Sequence, residues 1–140
     1  MKPIDDKNEV QFRQVHPNWV EEGEPSRLAF IPTTKDEDKL SLDRSANLNS
    51  KESFDNFRAL GLQSEGVYGL TPNEFSEEPH SIECYESPLD GNPHHSHADF
   101  AGLSRREKKL KSLSLRRSAL ARGKLHPERF LDSSFRCLYN

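Results

Sequence analysis

An arginine and a histidine near the amino terminus lie close enough in sequence to share a small anion. Arg13 lies in a segment with strand character, residues 10–15, and His16 lies at its end, where Pro17 and Asn18 follow. A guanidinium binds a phosphate or carboxylate with two parallel hydrogen bonds, and an imidazole can donate a third. Lys35 and Asp36, which follow two threonines, would add charges from a loop. The structural alternative is that Arg13 pairs with an acidic residue and His16 caps the strand end.

A second chemical pattern is the alternating string of His95, His97 and Asp99. Imidazole and carboxylate groups are ordinary zinc ligands, and this order occurs in metallo-hydrolases of the β-lactamase fold. The histidine that usually follows the aspartate is replaced by Phe100, and 140 residues are too few for that fold. We therefore expect a polar loop without a metal. A His–Asp pair for acid–base chemistry is the remaining alternative.

Positive charge is concentrated at the carboxyl-terminal end. Residues 104–140 hold 11 of the 20 Lys and Arg residues and 3 of the 23 Asp and Glu residues, a net +8, whereas residues 1–103 carry −11. Ser104 and Glu107 form a capping box, which predicts a helix over about 105–121. The cations that we expect on its polar face are candidates for binding a partner. They are Arg105, Lys108, Lys109, Lys111, Arg116 and Arg122.

Helical periodicity predicts which side of this helix is buried. At 100° per residue the apolar side chains form one stripe, which we expect to face the core. The stripe contains Leu103, Leu110, Leu113, Leu120 and Ala121. Arg106 and Arg117 fall inside it, where burial would require carboxylate partners or a ligand phosphate, and Leu115 falls on the polar side. The cations suit packing on the acidic half, nucleic acid, or an acidic protein or membrane surface.

Short elements must position these groups. Strand patterns occupy residues 10–15, 27–31, 39–42, 66–70 and 82–84. A helix is expected over about 51–60, capped by Ser50 and ended by Gly61, and a short helix is expected after Thr71. Short strands mixed with a few helices favour the α+β class and a loop-rich fold.

Length and composition indicate one small domain. Of the 140 residues, 32% are hydrophobic and 31% charged, so we expect a small core that relies on aromatic residues. Residues 10–126 would form the domain, between a flexible N-terminus at 1–9 and a tail at 127–140. No apolar run approaches the ~20 residues that span a bilayer, and no signal sequence is evident, so we expect a cytoplasmic protein. Cys84 and Cys137 should then be free thiols.

Several segments resemble a group of short bacterial proteins that have no established activity. They are residues 12–17 (FRQVHP), 29–37 (AFIPTTKDE), 40–41, 66–68, 95–100 and 121–123. The resemblance implies a bacterial cytosolic protein with one continuous domain over about 10–125. It transfers no chemistry.

These observations lead to two hypotheses about function. The first is an accessory or adaptor protein that uses the basic helix, without a cofactor, to bind nucleic acid or a protein encoded nearby. The second is a small nucleotide- or phosphate-handling enzyme or ligand-binding domain built on Arg13, His16 and the loop at 35–36. Convergence distinguishes them, because side chains that meet in one cavity would favour the second hypothesis.

Overall fold

Five antiparallel strands form the central sheet of the computed structural model, which describes residues 1–128. In chain order the strands are β1 (Gln11–Val15), β2 (Val20–Glu21), β3 (Glu24–Pro25), β4 (Lys39–Arg44), β5 (Gly66–Leu70), β6 (Cys84–Glu86) and β7 (His95–Asp99). The α-helices are α1 (Ser50–Ala59), α2 (Pro72–Ser76) and α3 (Arg105–Arg122). The sheet order is β5-β1-β4-β7-β6, while β2 and β3 form a separate hairpin. The predicted α+β class is confirmed.

Most of the locally encoded elements form as predicted. The strands expected at 10–15, 39–42 and 66–70 are β1, β4 and β5, and the strand expected at 82–84 begins two residues later. The cap of α1 is Asn49 rather than Ser50. The Asn49 side chain accepts from the backbone N–H of Glu52, and the Glu52 carboxylate accepts from the backbone N–H of Asn49. Thr71 caps α2 in the same reciprocal way. Gly61 follows α1 with a φ of +82°, which glycine adopts readily.

The strand predicted at 27–31 is wrong, since this segment forms the 3₁₀ helix Arg27–Phe30. Ser26 begins it, because its hydroxyl accepts the backbone N–H of the residue two positions on. The turn buries Ala29 and Phe30 completely. A short apolar run fits a buried helical turn as well as a strand, so its pattern alone could not distinguish the two.

One face of the sheet is closed by α3 and the Arg27–Phe30 turn. Leu40 and Leu70 of the sheet, Phe30 of the turn and Leu115 of α3 share one core cluster, and each is at most 1% exposed. Cys84 is a buried free thiol in the same cluster, and desolvation raises its pKa to about 12. Cys137 lies outside the described residues.

Helix α3 forms as predicted, but the side that it buries is not the predicted stripe. Leu110 and Leu113 are 42% and 39% exposed, whereas Leu115 and Ala119 are buried. Leu103 and Leu120 are partly buried against the core, and Arg106 and Arg117 are exposed. The buried side also contains the polar residues Lys111 and Ser112, so the hydrophobicity pattern of the sequence predicts that this side is exposed. Ala119 and Ser112 are small enough to let the helix approach its neighbours closely, and that packing outweighed the leucine pattern.

The N-terminus, which we expected to be flexible, packs against the core and along β6. Ile4 is fully buried in the core, and its N–H donates to the carbonyl of Cys84 at 3.1 Å. The carbonyl of Lys2 accepts from the N–H of Glu86 at 2.8 Å. One apolar side chain in a polar segment thus anchors the first residues along β6. Most of the predicted tail, residues 129–140, lies outside the described part of the chain.

The opposite face of the sheet is covered less completely. Helix α1 packs on β1 and β5, where Phe54 joins Phe12 and Val67 in a second, smaller apolar cluster. Because side chains alternate along a strand, Asp43 and His95 lie on this same face as Phe12. Within residues 1–128, no helix has the length and apolar character needed to cross a membrane.

Candidate ligand-binding site

A cavity of about 340 Å³ lies beside α1 on this less covered face and reaches toward the other face, because Leu42 and Trp19 in its lining also contact the core under α3. Its apolar walls are Phe12, Trp19, Leu42, Phe57, Leu60, Leu62 and Leu89. Its polar lining comprises Arg13, Gln14, His16, Ser41, Asp43, Gln63, Asp90, Asn92 and His95. Sites for small molecules have volumes of roughly 300–1,000 Å³ and combine apolar walls with a few converging polar groups. The cavity has both properties.

The cavity lies where two strands of the sheet diverge. β1 and β4 pair only at Gln11 with Arg44 and at Phe12 with Asp43. Beyond these pairs the side chain of Arg13 bridges the gap, and its Nη1 donates to the carbonyl of Ser41 at 3.0 Å. A ladder of two pairs therefore gives way to a side-chain bridge, and both strands contribute residues to the cavity wall.

Arg13 is a buried cation without an ion-pair partner in the described residues. Arg13 is only 8% exposed, and no carboxylate of residues 1–128 lies within 4.0 Å of its guanidinium. Nε donates to the carbonyl of Ala29 at 2.7 Å, and the guanidinium lies 5.1 Å from the Trp19 ring centre. Burial lowers the pKa of Arg13 to about 10, with the charge of Asp36 opposing the shift, so the group remains protonated at neutral pH. Neutral backbone carbonyls only partly offset such a buried charge.

His16 contributes a hydrogen-bond donor to the same cavity lining. Its Nδ1 accepts the backbone N–H of Asn18 at 3.0 Å, which caps the 3₁₀ helix Pro17–Trp19. In the neutral ring the proton must then be on Nε2. The imidazole also contacts Trp19, with 5.7 Å between ring centres. Arg13 and His16, which the sequence analysis paired, therefore line the same cavity.

The loop at 35–36 does not join them. Lys35 and Asp36 are exposed and lie outside the cavity lining. The Asp36 carboxylate accepts from the N–H and the hydroxyl of Thr33, at 3.0 and 2.7 Å, and so caps the 3₁₀ helix Thr34–Asp36. Asp36 acts on Arg13 only through longer-range attraction.

The three alternating groups of β7 are divided between the cavity and its surroundings. His95 lines the cavity, whereas His97 is 2% exposed behind it, and Asp99 accepts the N–H of Ala101 at 2.9 Å. The Nδ1 atoms of both histidines lie 2.9 Å from the hydroxyl of Ser87. In the described part of the chain, no three His, Cys, Asp or Glu residues are arranged to hold a metal ion.

The cations predicted to bind a partner are mostly used inside the domain. Lys108 pairs with Asp38, Lys111 donates to the carbonyls of Glu74 and Glu77, Arg116 donates to the carbonyl of Pro25, and Arg122 pairs with Glu74. Arg105 and Lys109 are exposed, and their side chains have no hydrogen bond or ion pair within residues 1–128. The acidic half of the chain thus takes up much of the positive charge of α3.

Sequence reasoning missed most of the apolar cavity wall. Leu60, Leu62 and Leu89 line it while remaining 65%, 48% and 54% exposed. The available signal was the pair of leucines on either side of Gly61, since apolar residues that flank a helix-ending glycine need a surface to contact. Leu89, in the turn before β7, gave no such local signal.

Comparison with known proteins gives no further assignment: the chain matches no protein-family model, no curated protein and no solved structure.

Proposed function

We propose that this protein binds a small organic anion that has an apolar body. The observation that carries the proposal is the uncompensated Arg13 in the wall of an otherwise mainly apolar cavity. A carboxylate or phosphate would supply the missing counter-charge, and an apolar body would cover Phe12, Phe57 and the exposed leucines.

The hydrogen-bonding capacity left in the cavity supports an anion. Nε and Nη1 of Arg13 are engaged by carbonyls, while Nη2 has no hydrogen bond within residues 1–128. Within those residues, Nε2 of His97 is the only fully enclosed side-chain polar atom without a partner, so Nη2 of Arg13 is not fully enclosed. Arg13 and the Nε2 proton of His16 thus supply two kinds of donor to one cavity, and both residues contact the Trp19 ring.

Phenylacetate and phenylphosphate are suitable probes, with phenylacetamide as the neutral control. Trp19 is the only tryptophan and lines the cavity, so its fluorescence reports binding directly. We expect both anions to bind with Kd values of about 1 mM or tighter, and the amide to bind at least about tenfold more weakly, since a charge-assisted bond contributes ~1.5 kcal/mol or more.

Arg13→Gln should lose anion binding by at least about tenfold, and Arg13→Lys should restore part of it. Arg44→Gln is the matched control, because Arg44 lies outside the cavity and pairs with Glu9 and Glu86. Each variant is first checked for folding by circular dichroism. Equal binding of amide and anion, unchanged binding by Arg13→Gln, or no binding of either anion at about 10 mM would each overturn the proposal.

A second candidate function rests on the outer side of α3. Leu110 and Leu113 are exposed there beside Arg106, Lys109 and Arg117. A leucine pair flanked by cations fits the apolar and acidic face of an amphipathic helix from a partner protein. This refines the adaptor hypothesis, because the binding surface would be the leucine stripe itself together with the cations that the fold leaves exposed.

The test uses an acidic, leucine-containing helical peptide and, in parallel, duplex DNA of about 20 base pairs. We expect the peptide to bind, and the triple replacement of Arg106, Lys109 and Arg117 by Glu to abolish binding without unfolding the protein. DNA binding that weakens steeply with salt, together with no peptide binding, would instead favour nucleic acid. If the protein binds neither the peptide nor the DNA at low salt, this surface is not a binding interface for either class of partner.

A further inference from the structure

The second histidine of the cavity has a defined proton position. Nδ1 of His95 lies 2.9 Å from the backbone carbonyl of Ser87. A carbonyl oxygen can only accept, so Nδ1 must carry the proton. In the neutral ring, Nε2 of His95 is then an acceptor. Both contacts of Ser87 are with Nδ1, so Ser87 makes no hydrogen bond to Nε2.

The hydroxyl of Ser87 extends this arrangement to His97. It lies 2.9 Å from Nδ1 of each histidine and has one proton to give. The hydroxyl can accept from one ring and donate to the other, so Ser87 contacts both histidines and is the positioning residue for His95.

The two histidines that line the cavity consequently have opposite roles. His16 accepts at Nδ1 and donates at Nε2, whereas His95 donates at Nδ1 and accepts at Nε2. Arg13 adds donors near His16, and the carboxylate of Asp90 adds an acceptor to the lining. The carboxylate of Asp43 is already engaged by Ser53 and Asn92.

The sheet register gives the spacing of the strands that carry the two ends. Phe12, Asp43 and His95 form one row across β1, β4 and β7. Adjacent strands are about 4.8 Å apart, so the backbone of β7 lies about 10 Å from that of β1. Arg13 follows Phe12 on β1, so a ligand of one ring or a few carbon atoms matches the spacing of the strands that carry Arg13 and His95.

The cavity thus has donors at Arg13 and His16 and an acceptor at His95. From this arrangement we infer that the ligand carries a hydroxyl group at the end remote from its anion, and that the hydroxyl donates a hydrogen bond to Nε2 of His95. The inference rests on the proposed function. The ligand class is then a small hydroxy acid or hydroxyl-bearing phosphate with an apolar middle. Its anion contacts Arg13 and His16.

Phenylacetate and 4-hydroxyphenylacetate form a matched pair of probes that differ by this one hydroxyl. Wild-type protein should bind the hydroxylated acid about fivefold more tightly, the gain of one net hydrogen bond. His95→Phe should bind both acids equally, while His94→Gln, with a ring outside the cavity lining, should keep the preference. Nitrogen-15 NMR of the wild type should show the Nδ1–H tautomer for His95 and the Nε2–H tautomer for His16.

The outcomes separate the inference from the function on which it rests. Arg13-dependent binding of both acids with no gain from the hydroxyl, or an Nε2–H tautomer at His95, would overturn the inference and leave the anion site intact. If neither acid binds, the proposed function itself is overturned.

Discussion

The face of the sheet under α3 and the face beside α1 are built from the same strands but covered to different extents. Under α3, Phe30, Leu40 and Leu115 are at most 1% exposed. Beside α1, Leu60 and Leu89 remain 65% and 54% exposed around a cavity of about 340 Å³. Close packing on one face stabilises the domain, and incomplete cover on the other leaves space for a ligand.

Two buried cations sharpen the comparison. Lys111, at the α3 side, donates to two carbonyls near the end of α2, and Arg13 likewise donates to two carbonyls. Neither has a carboxylate within 4.0 Å in the described residues, and burial lowers the pKa of both. Lys111 lies outside the cavity, whereas Arg13 lines it. Both cations are buried, and a position in the cavity lining is what distinguishes Arg13 from Lys111.

The largest expected effect is on the closed face. Leu115→Asp should lower the free energy of unfolding by roughly 4 kcal/mol, because it places an unpaired charge in the core and removes a buried leucine. Urea unfolding followed by circular dichroism measures the change.

Leu113→Asp is the matched control on the same helix. Leu113 is 39% exposed, so the cost should stay below ~1 kcal/mol, mostly from helix propensity. If the two variants are destabilised in the reverse order, α3 buries the leucine stripe and its orientation here is wrong.

The rotation of α3 illustrates where sequence reasoning stops. Capping boxes at Thr71 and Ser104 depend on residues three positions apart, so they could be predicted, and so could three of the four strands that have five or more residues. The buried side of α3 depends on what Lys111 meets after folding, namely the carbonyls of Glu74 and Glu77. No local pattern contains that information.

The candidate site was readable to a similar extent. Arg13 and His16 are three positions apart and were paired from their chemistry, and both line the cavity. His95 reaches the cavity only through the pairing of β7 with β4, and Ser87 fixes its ring through a hairpin. Such relationships arise from register, which a single sequence does not specify.

An effect of intermediate size should appear on acidification. Burial, followed by the nearby charges of Lys39 and His95, lowers the pKa of His97 below 6.5, with Asp99 opposing. The unfolded chain then binds more protons below pH ~6.5, so this residue reduces stability as the pH falls from there toward its folded-state pKa. His97→Phe should flatten the loss of unfolding free energy as the pH falls below about 6.5.

Urea unfolding at several pH values measures that slope, and His94→Gln is the control, since its ring has no hydrogen bond within residues 1–128. A His97→Phe protein with the wild-type slope would show that His97 does not titrate differently in the folded state.

The smallest expected stability effect is at the rim of the cavity. Leu89→Ser should change the unfolding free energy by less than ~0.5 kcal/mol, because Leu89 is 54% exposed in a turn. It should nevertheless weaken phenylacetate binding about fivefold, since covering ~40 Å² of apolar surface contributes ~1 kcal/mol. Leu28→Ser is the control, because Leu28 is 44% exposed but lies outside the cavity lining. Equal binding by the two variants would mean that the exposed leucines play no part in recognition, and the comparison between a stabilising face and a binding face would fail at its open side.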